Sequence, residues 1–393
     1  MEAPRRDRTR ATAWTRHLRG APGIGAPGIG ALGIGAVLAL AGCSSVATPD
    51  SPSVPGSPPA SAGPVGYVVC PTAITPVELA TRTPEAPIAL PIVGTPPLGD
   101  FAVATSPDGR WAFVDTQSTP PGRVTMNVLV PVDLATQRAG TPIVLPGSGA
   151  TGAVVVMHDG RTVLAASGTT IVPVDVATRA VGRPLDLGKG RTVSGMALSP
   201  TTTTLFVLVA DGVVPVDTAT ATAGSPMVTG LTVSSVSSPH GLVVSADGTT
   251  LYVAGQGPPD FGGRVVGVTT ATGTVSASTG FDQFGIADPA ALALAPDGSH
   301  LLVADSANNW IDDVPVADPA HPLAPVRLPT GTGTAAASGT DHPTDIVTGP
   351  GSTGAFVVTG LGTVLPYDPT HQTFGRPIPV CSGASSMTVG VTP

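Results

Sequence analysis

Val172-Pro173-Val174-Asp175-Val176-Ala177-Thr178 is one of three near-copies in the chain. Val130-Pro131-Val132-Asp133-Leu134-Ala135-Thr136 precedes it, and Val214-Pro215-Val216-Asp217-Thr218-Ala219-Thr220 follows. The three aspartates stand 42 residues apart each time. A fixed period of that length marks a repeat architecture, in which each unit buries its apolar faces only by stacking on its neighbours.

The unit around the third copy shows the internal plan. Met196-Ala197-Leu198 reads as a first strand, a, which turns at Ser199-Pro200-Thr201-Thr202 into strand b, Leu205-Phe206-Val207-Leu208-Val209. Strand c is Val213-Val214-Pro215-Val216, and strand d lies near Pro226-Met227-Val228. These runs are almost wholly apolar, as expected of sheets buried on both faces. Residues 101–145, 152–187, 239–279, 289–329 and 343–380 repeat the plan, which makes six complete units. Four of those five carry Asp-Gly between strands a and b, at Asp108-Gly109, Asp159-Gly160, Asp247-Gly248 and Asp297-Gly298. Asp-Gly at such a connection is a strong hairpin signal because both residues tolerate positive φ.

The ends of the repeat region decide closure. Residues 65–92 hold strands b, c and d without an a, and Ser386-Met387-Thr388-Val389-Gly390-Val391 reads as an a with nothing after it. Together they complete a seventh unit, and a ring closed in this way leaves no exposed sheet edge. The sequence therefore predicts an all-β chain: a seven-bladed β-propeller closed by a mixed N- and C-terminal blade. A miscounted divergent unit would make it six or eight. Cys70 ends strand b of the mixed blade and Cys381 stands just before its C-terminal strand. A disulfide between them would lock the ring at its joint; two unpaired buried thiols are the alternative.

The 50 glycines, 44 prolines and 11% charged residues fit many short strands and turns. The first 42 residues hold six arginines against Glu2 and Asp7, which leaves 12 basic against 24 acidic residues, −12, in the remainder. That balance excludes nucleic acid as an expected partner, since phosphate binding needs clustered Lys and Arg.

Residues 1–42 combine an Arg-rich start with a small, apolar, Gly- and Pro-containing stretch ending Leu40-Ala41-Gly42 before Cys43. This resembles a bacterial lipoprotein signal peptide with its lipobox, which implies cleavage before Cys43, lipidation of Cys43 and a membrane anchor. Residues 43–64 are the lipidated cysteine and a Ser/Pro-rich tether without the composition to bury a core. Twenty-one residues of extended, Pro-rich chain reach up to about 60 Å. Residues 65–393 form the propeller domain. The expected place is the extracytoplasmic face of a cell membrane.

The repeats themselves resemble those of the YVTN-type propellers: Pro239-His240-Gly241, Ser245-Ala246-Asp247-Gly248 and Leu251-Tyr252-Val253-Ala254 follow that pattern. The stretch Leu302-Val303-Ala304-Asp305-Ser306-Ala307-Asn308-Asn309-Trp310-Ile311 is similar to an NHL repeat, with Trp310 where an arginine is usual. The resemblance spans about residues 65–391. It implies a fold and no single activity, because propellers host many.

In a propeller, strand a lines the central channel. The a–b and c–d turns share one face, and the b–c loops and the entries to strand a share the other. Candidate binding residues on that second face are His240, Asp288 and His342, at equivalent entries of three successive units, with Trp310 and Phe261 as loop aromatics. The two histidines and the aspartate suit a metal or acid–base site if they converge at the channel mouth, or a cap on each one's own turn if they do not. Asp305, Asn308, Asn309, Asp312 and Asp313 form an oxygen-rich group open to the same two readings, a calcium site or a held turn. Asp133, Asp175 and Asp217 belong to c–d turns, where a carboxylate accepts bonds from following backbone N–H groups. Glu78 and Asp368 take that place in two other units, and Thr269 and Ala317 in the last two.

Nucleophile elbows, paired zinc-binding histidines, phosphate loops and Cys-x-x-Cys are absent from the sequence. No catalytic residue and no cofactor is expected. The favoured function is a binding or scaffold module for a protein, a peptide or an envelope glycan. The alternative is a propeller-type hydrolase or lyase, lactonase-like, with a divalent metal in the channel.

Overall fold

The computed structural model describes residues 63–94, 101–150, 152–232, 241–257, 262–280, 288–319, 321–329, 341–349 and 354–390. They form seven antiparallel sheets around a common axis, a seven-bladed β-propeller. Blade 1 is the mixed one. Its strand a is Ser386–Gly390, which pairs with strand b, Val65–Cys70; strand c is Ala73–Glu78. Blade 2 runs Ala102–Thr105, Trp111–Ser118 and Met126–Asp133. Blade 3 runs Val154–Val156, Thr162–Ser167 and Thr170–Asp175; blade 4 runs Gly195–Leu198, Thr204–Val209 and Gly212–Asp217. Blade 5 runs Leu242–Val244, Thr250–Gly257 and Gly262–Thr269. Blade 6 runs Pro289–Leu294, His300–Asp305 and Trp310–Pro315. Blade 7 runs Pro343–Thr348, Ala355–Thr359 and Thr363–Asp368. The apolar faces meet between blades, as at the blade 6–7 seam, where Leu302 and Ile311 pack on Val357 and Leu365.

Proline governs the outer strand. Pro76, Pro131, Pro173, Pro215 and Pro366 hold equivalent places in strand c. Proline has no N–H to offer strand d. In blade 2 strand d accordingly splits into Arg138–Ala139 and Ile143–Val144, and blade 7 splits the same way into Thr373–Phe374 and Ile378–Pro379. The Pro131 carbonyl takes the Gly140 N–H in the gap, and a Cβ on Gly140 would come within 3.3 Å of the proline ring. In blade 5 Gly267 replaces the proline, and strand d runs unbroken over Thr274–Gly280.

The turn from c to d also repeats. Asp133, Asp175, Asp217 and Asp368 each accept following backbone N–H groups, which makes the carboxylate a turn device. Four residues on, Arg82, Gln137, Arg179, Ala221 and Gln372 take φ between 51° and 63°, with Gly273 at 67°. Short hairpin loops end on such a left-handed residue.

One expected position is corrected. In blade 6 strand pairing sets His300 against Pro315, as Trp111 is set against Asp133 in blade 2. The turn position is therefore Pro315 and not Ala317. Val314-Pro315-Val316 looks like the repeat's Val-Pro-Val but sits two residues late, so Asp313 occupies the place of the repeat proline.

The ring joint is closed as the sequence predicts. Val65 to Val69 pair with Gly390 to Ser386, and Cys70 is bonded to Cys381 with Cα atoms 6.1 Å apart. The bond links residues 311 apart in sequence. A loop of that length loses about 6 kcal/mol of unfolded-state entropy in the chain-entropy account.

Candidate functional site

The innermost strands enclose a cavity of about 610 Å³ on the propeller axis. Each blade contributes small or apolar side chains: Ala104, Val156, Leu198, Val244, Leu294, Thr348 and Val389. The cavity extends to the a–b turns, where Pro200, Ala246 and Pro296 join the wall. His158 stands at that end, its Nε2 2.8 Å from the Ser199 carbonyl of the next blade. Among the described residues the lining has no carboxylate. A wall of this kind offers volume and apolar contact to a ligand, with few directional bonds.

The opposite face carries the predicted candidates. Asp288 is half-buried at the entry to blade 6; its Oδ2 accepts the Ser306 hydroxyl at 2.9 Å, and its own N–H donates to Asp305. His342 is exposed at the entry to blade 7, its ring lying against Gly360, whose N–H donates to the His342 carbonyl. Neither lines the axial cavity. His240 and Phe261 lie outside the described residues. Trp310 is half-buried at the start of strand c in blade 6, opposite Asp305 and Arg327 in the ladder. Among the described residues no three His, Cys, Asp or Glu side chains come together as ligands for an ion.

The carboxylates buried near this face are occupied by backbone. Asp115 accepts the N–H groups of Gly152 and Ala153 in the next blade, and Asp345 those of Ile346 and Met387. Asp305 accepts from Asp288, Ala307 and Asn308, and from the Asn308 side chain. The oxygen-rich group is therefore a held turn at Asp305 and Asn308. Asp312 and Asp313, adjacent on one strand, face opposite sides of the blade. Asp312 is 2% exposed, and burial, with Asp305 nearby, pushes its carboxyl up to about 7. Asp313 is also pushed up by burial, while His300, whose Nδ1 is 2.5 Å from its Oδ1, pulls it back down.

The His300–Asp313 pair is absent from the sequence-based candidates. The signal that would have found it is an aspartate in the repeat's proline position, hidden by the late Val-Pro-Val of blade 6. The other two histidine–aspartate pairs among the described residues, His321–Asp318 and His371–Asp368, are exposed and three residues apart in sequence.

No protein-family model matches the chain, and no curated protein does. Solved structures are similar in fold. The periplasmic gluconolactonase PpgL of Pseudomonas aeruginosa aligns with a TM-score of 0.61 at 17% identity, over 84% of this chain and 99% of that one. A protein from Lactobacillus plantarum aligns with 0.61 at 16%, over 83% and 99%. A functionally unknown protein from Desulfotomaculum acetoxidans aligns with 0.59 at 12%, over 84% and 99%. At these identities the likeness is one of fold.

Proposed function

We propose that the chain is a membrane-anchored, extracytoplasmic propeller that binds a protein, a peptide or an envelope glycan on the face bearing the b–c loops. The observation that carries this reading is the use of buried carboxylates on that face: Asp115 Oδ2, Asp305 Oδ1 and both Asp345 oxygens accept backbone N–H groups. Carboxylates bonded in this way hold loops in place, and loops on a rigid frame are common binding surfaces. The lipobox-like Leu40-Ala41-Gly42-Cys43 supplies the anchor, and the Cys70–Cys381 bond suits an oxidising compartment. Trp310 is the aromatic candidate for contact with the partner.

The alternative is a hydrolase or lyase with a divalent ion at the axis. It has the fold likeness to the gluconolactonase in its favour, and it requires the Asp288 carboxylate to give up the Ser306 hydroxyl.

A photo-crosslinking residue at position 310 of the full chain, displayed in its native envelope, tests the reading against a control at position 175 on the other face. The expected result is an adduct from position 310 and none from 175, with membrane retention lost on Cys43→Ser. A stoichiometric divalent ion that survives a chelator wash and disappears on His342→Ala would overturn the reading in favour of the hydrolase.

A further inference from the structure

In three blades the left-handed residue of the c–d turn reaches back to the preceding blade. Gln137 of blade 2 donates to Glu85 of blade 1 at 2.9 Å. Arg179 of blade 3 lies over Trp111 of blade 2, 4.0 Å from the ring centroid. Arg82 of blade 1 lies against Gly375 of blade 7. Gln372 of blade 7 is the equivalent residue at blade 6, and there the space is open: a groove of about 610 Å³ separates the two turns.

Three departures from the repeat meet at this groove. His300 stands where blade 2 has Trp111, Asp313 stands where five blades have proline, and Leu323 bonds the Asp313 carbonyl as Gly140 bonds Pro131. His300 is part-exposed to the groove, and Asp313 beneath it is wholly buried. With Nδ1–H donated to Asp313, the His300 Nε2 lone pair faces outward as an acceptor. The Asp297 carboxylate on the rim is a second acceptor; its Oδ1 takes the Ser299 hydroxyl and N–H. The Gln372 Nε2 is a buried donor with no partner among the described residues. Leu323, Pro296 and Pro369 form the apolar part of the wall.

We infer that the groove between blades 6 and 7 is a binding site for a neutral, polyhydroxylated ligand: a sugar, free or at the end of a glycan. It is separate from the b–c loop face and does not depend on that reading. An ammonium group brings donors only and would leave Gln372 unpaired. A carboxylate brings acceptors only and would meet Asp297. A hydroxyl both donates and accepts, and a sugar ring adds a C–H face for the leucine and the prolines. The volume is that of a small-molecule pocket, suited to a compact ligand rather than an extended chain.

The test is NMR of the His300 imidazole in the full chain, titrated separately with glucose, N-acetylglucosamine, their β-linked oligomers, N-acetyl-lysine amide and tri-alanine. A saturable shift with the sugars is expected. Stronger binding of oligomers than of monomers identifies a glycan end, and equal binding a free sugar. Gln372→Ala should weaken binding by about tenfold, the loss of one buried hydrogen bond. The variant His300→Thr with Asp313→Pro and Leu323→Gly restores the repeat's own residues, so it should keep its melting temperature; its sugar binding, followed by calorimetry, should vanish. No saturable shift with any sugar overturns the inference. So does a shift with the lysine amide or tri-alanine alone, or full sugar affinity in the triple variant.

Discussion

The seam between blades 2 and 3 and the seam between blades 6 and 7 use the same places in the repeat to opposite ends. In the first, Arg179 leaves its turn and stacks on Trp111, with Phe113 beyond it at 5.2 Å. A long cation covers an aromatic floor, and the seam is filled. In the second, the shorter Gln372 faces a histidine whose ring is anchored to a buried aspartate, and the seam is open. The backbone scarcely distinguishes them: both turns carry the left-handed residue, at φ 63° and 52°. Side chains separate the filled seam from the open one, together with a blade 6 c–d connection one residue longer, closed by Leu323 on Asp313 where Gly140 closes on Pro131. That is the freedom repeat folds give, since each seam is a nearest-neighbour term that changes without the others.

The largest test bears on the joint that holds both seams in one ring. Loss of the Cys70–Cys381 bond, by Cys70→Ala with Cys381→Ala, should lower stability by about 6 kcal/mol at most, read as the denaturant midpoint. Hydrogen exchange in the variant should then rise in blades 6 and 7 before blades 2 and 3. Equal exchange at the two seams would show that the open groove does not weaken its seam.

Asp312 gives the next largest effect, on the other side of blade 6. The folded chain keeps its proton up to about pH 7, whereas an unfolded aspartate loses it near pH 4. Between those values the folded state binds more protons, so stability falls as pH rises, and above about pH 7 the penalty is constant. Its upper bound is about 4 kcal/mol for a shift of about three units. Asp312→Asn should flatten the fall between about pH 4 and 7 and raise the melting temperature at pH 8. An unchanged pH profile would mean that the charge is relieved within the seam. Blade 2 variants that keep Asp312 should keep that slope.

The difference between the seams also explains what was legible in sequence. Seven blades, the mixed closure and the disulfide were readable because Val-Pro-Val-Asp, Asp-Gly and the two cysteines are local signals whose spacing carries the topology. The c–d turn carboxylates were readable for the same reason. The groove was not. It depends on residues 297–300, 313, 323 and 369–372, which come together only across two blades. Its clearest mark, Asp313 in a proline position, is displaced by a second Val-Pro-Val two residues later that aligns better by eye and worse in register. At the entry face the sequence placed His240, Asp288 and His342 at equivalent entries; the structure describes Asp288, whose carboxylate takes the Ser306 hydroxyl, and His342, whose exposed ring lies beside Gly360.

Arg179→Ala tests the filled seam directly. Removing a half-buried guanidinium from an aromatic face should cost about 1–2 kcal/mol, through lost stacking and lost cover of the ring. Gln372→Ala removes the equivalent side chain from the open seam and should cost less than Arg179→Ala. A larger loss from Gln372 than from Arg179, in chemical unfolding of both variants, would reverse the ranking of the two seams.

The smallest effect belongs to the turns that both seams share. The backbone N–H of Thr178, and then its hydroxyl, hold the Asp175 carboxyl below the ordinary aspartate value. At Asp368 the His371 ring does the same, with help from the following N–H groups. A depressed folded value means that the ionised carboxylate stabilises the turn above about pH 4 and that this support disappears as pH falls through the folded value. Asp175→Asn should therefore melt slightly lower than the parent at pH 7, by less than Arg179→Ala, and no lower once both aspartates are protonated. Because Asp175 is fully exposed, salt should narrow the gap. The same small gap at Asp368 would place the turn device outside the contrast between seams. A larger one there would tie the turn to the groove, since Pro369 and Thr370 follow directly on Asp368 and form its wall.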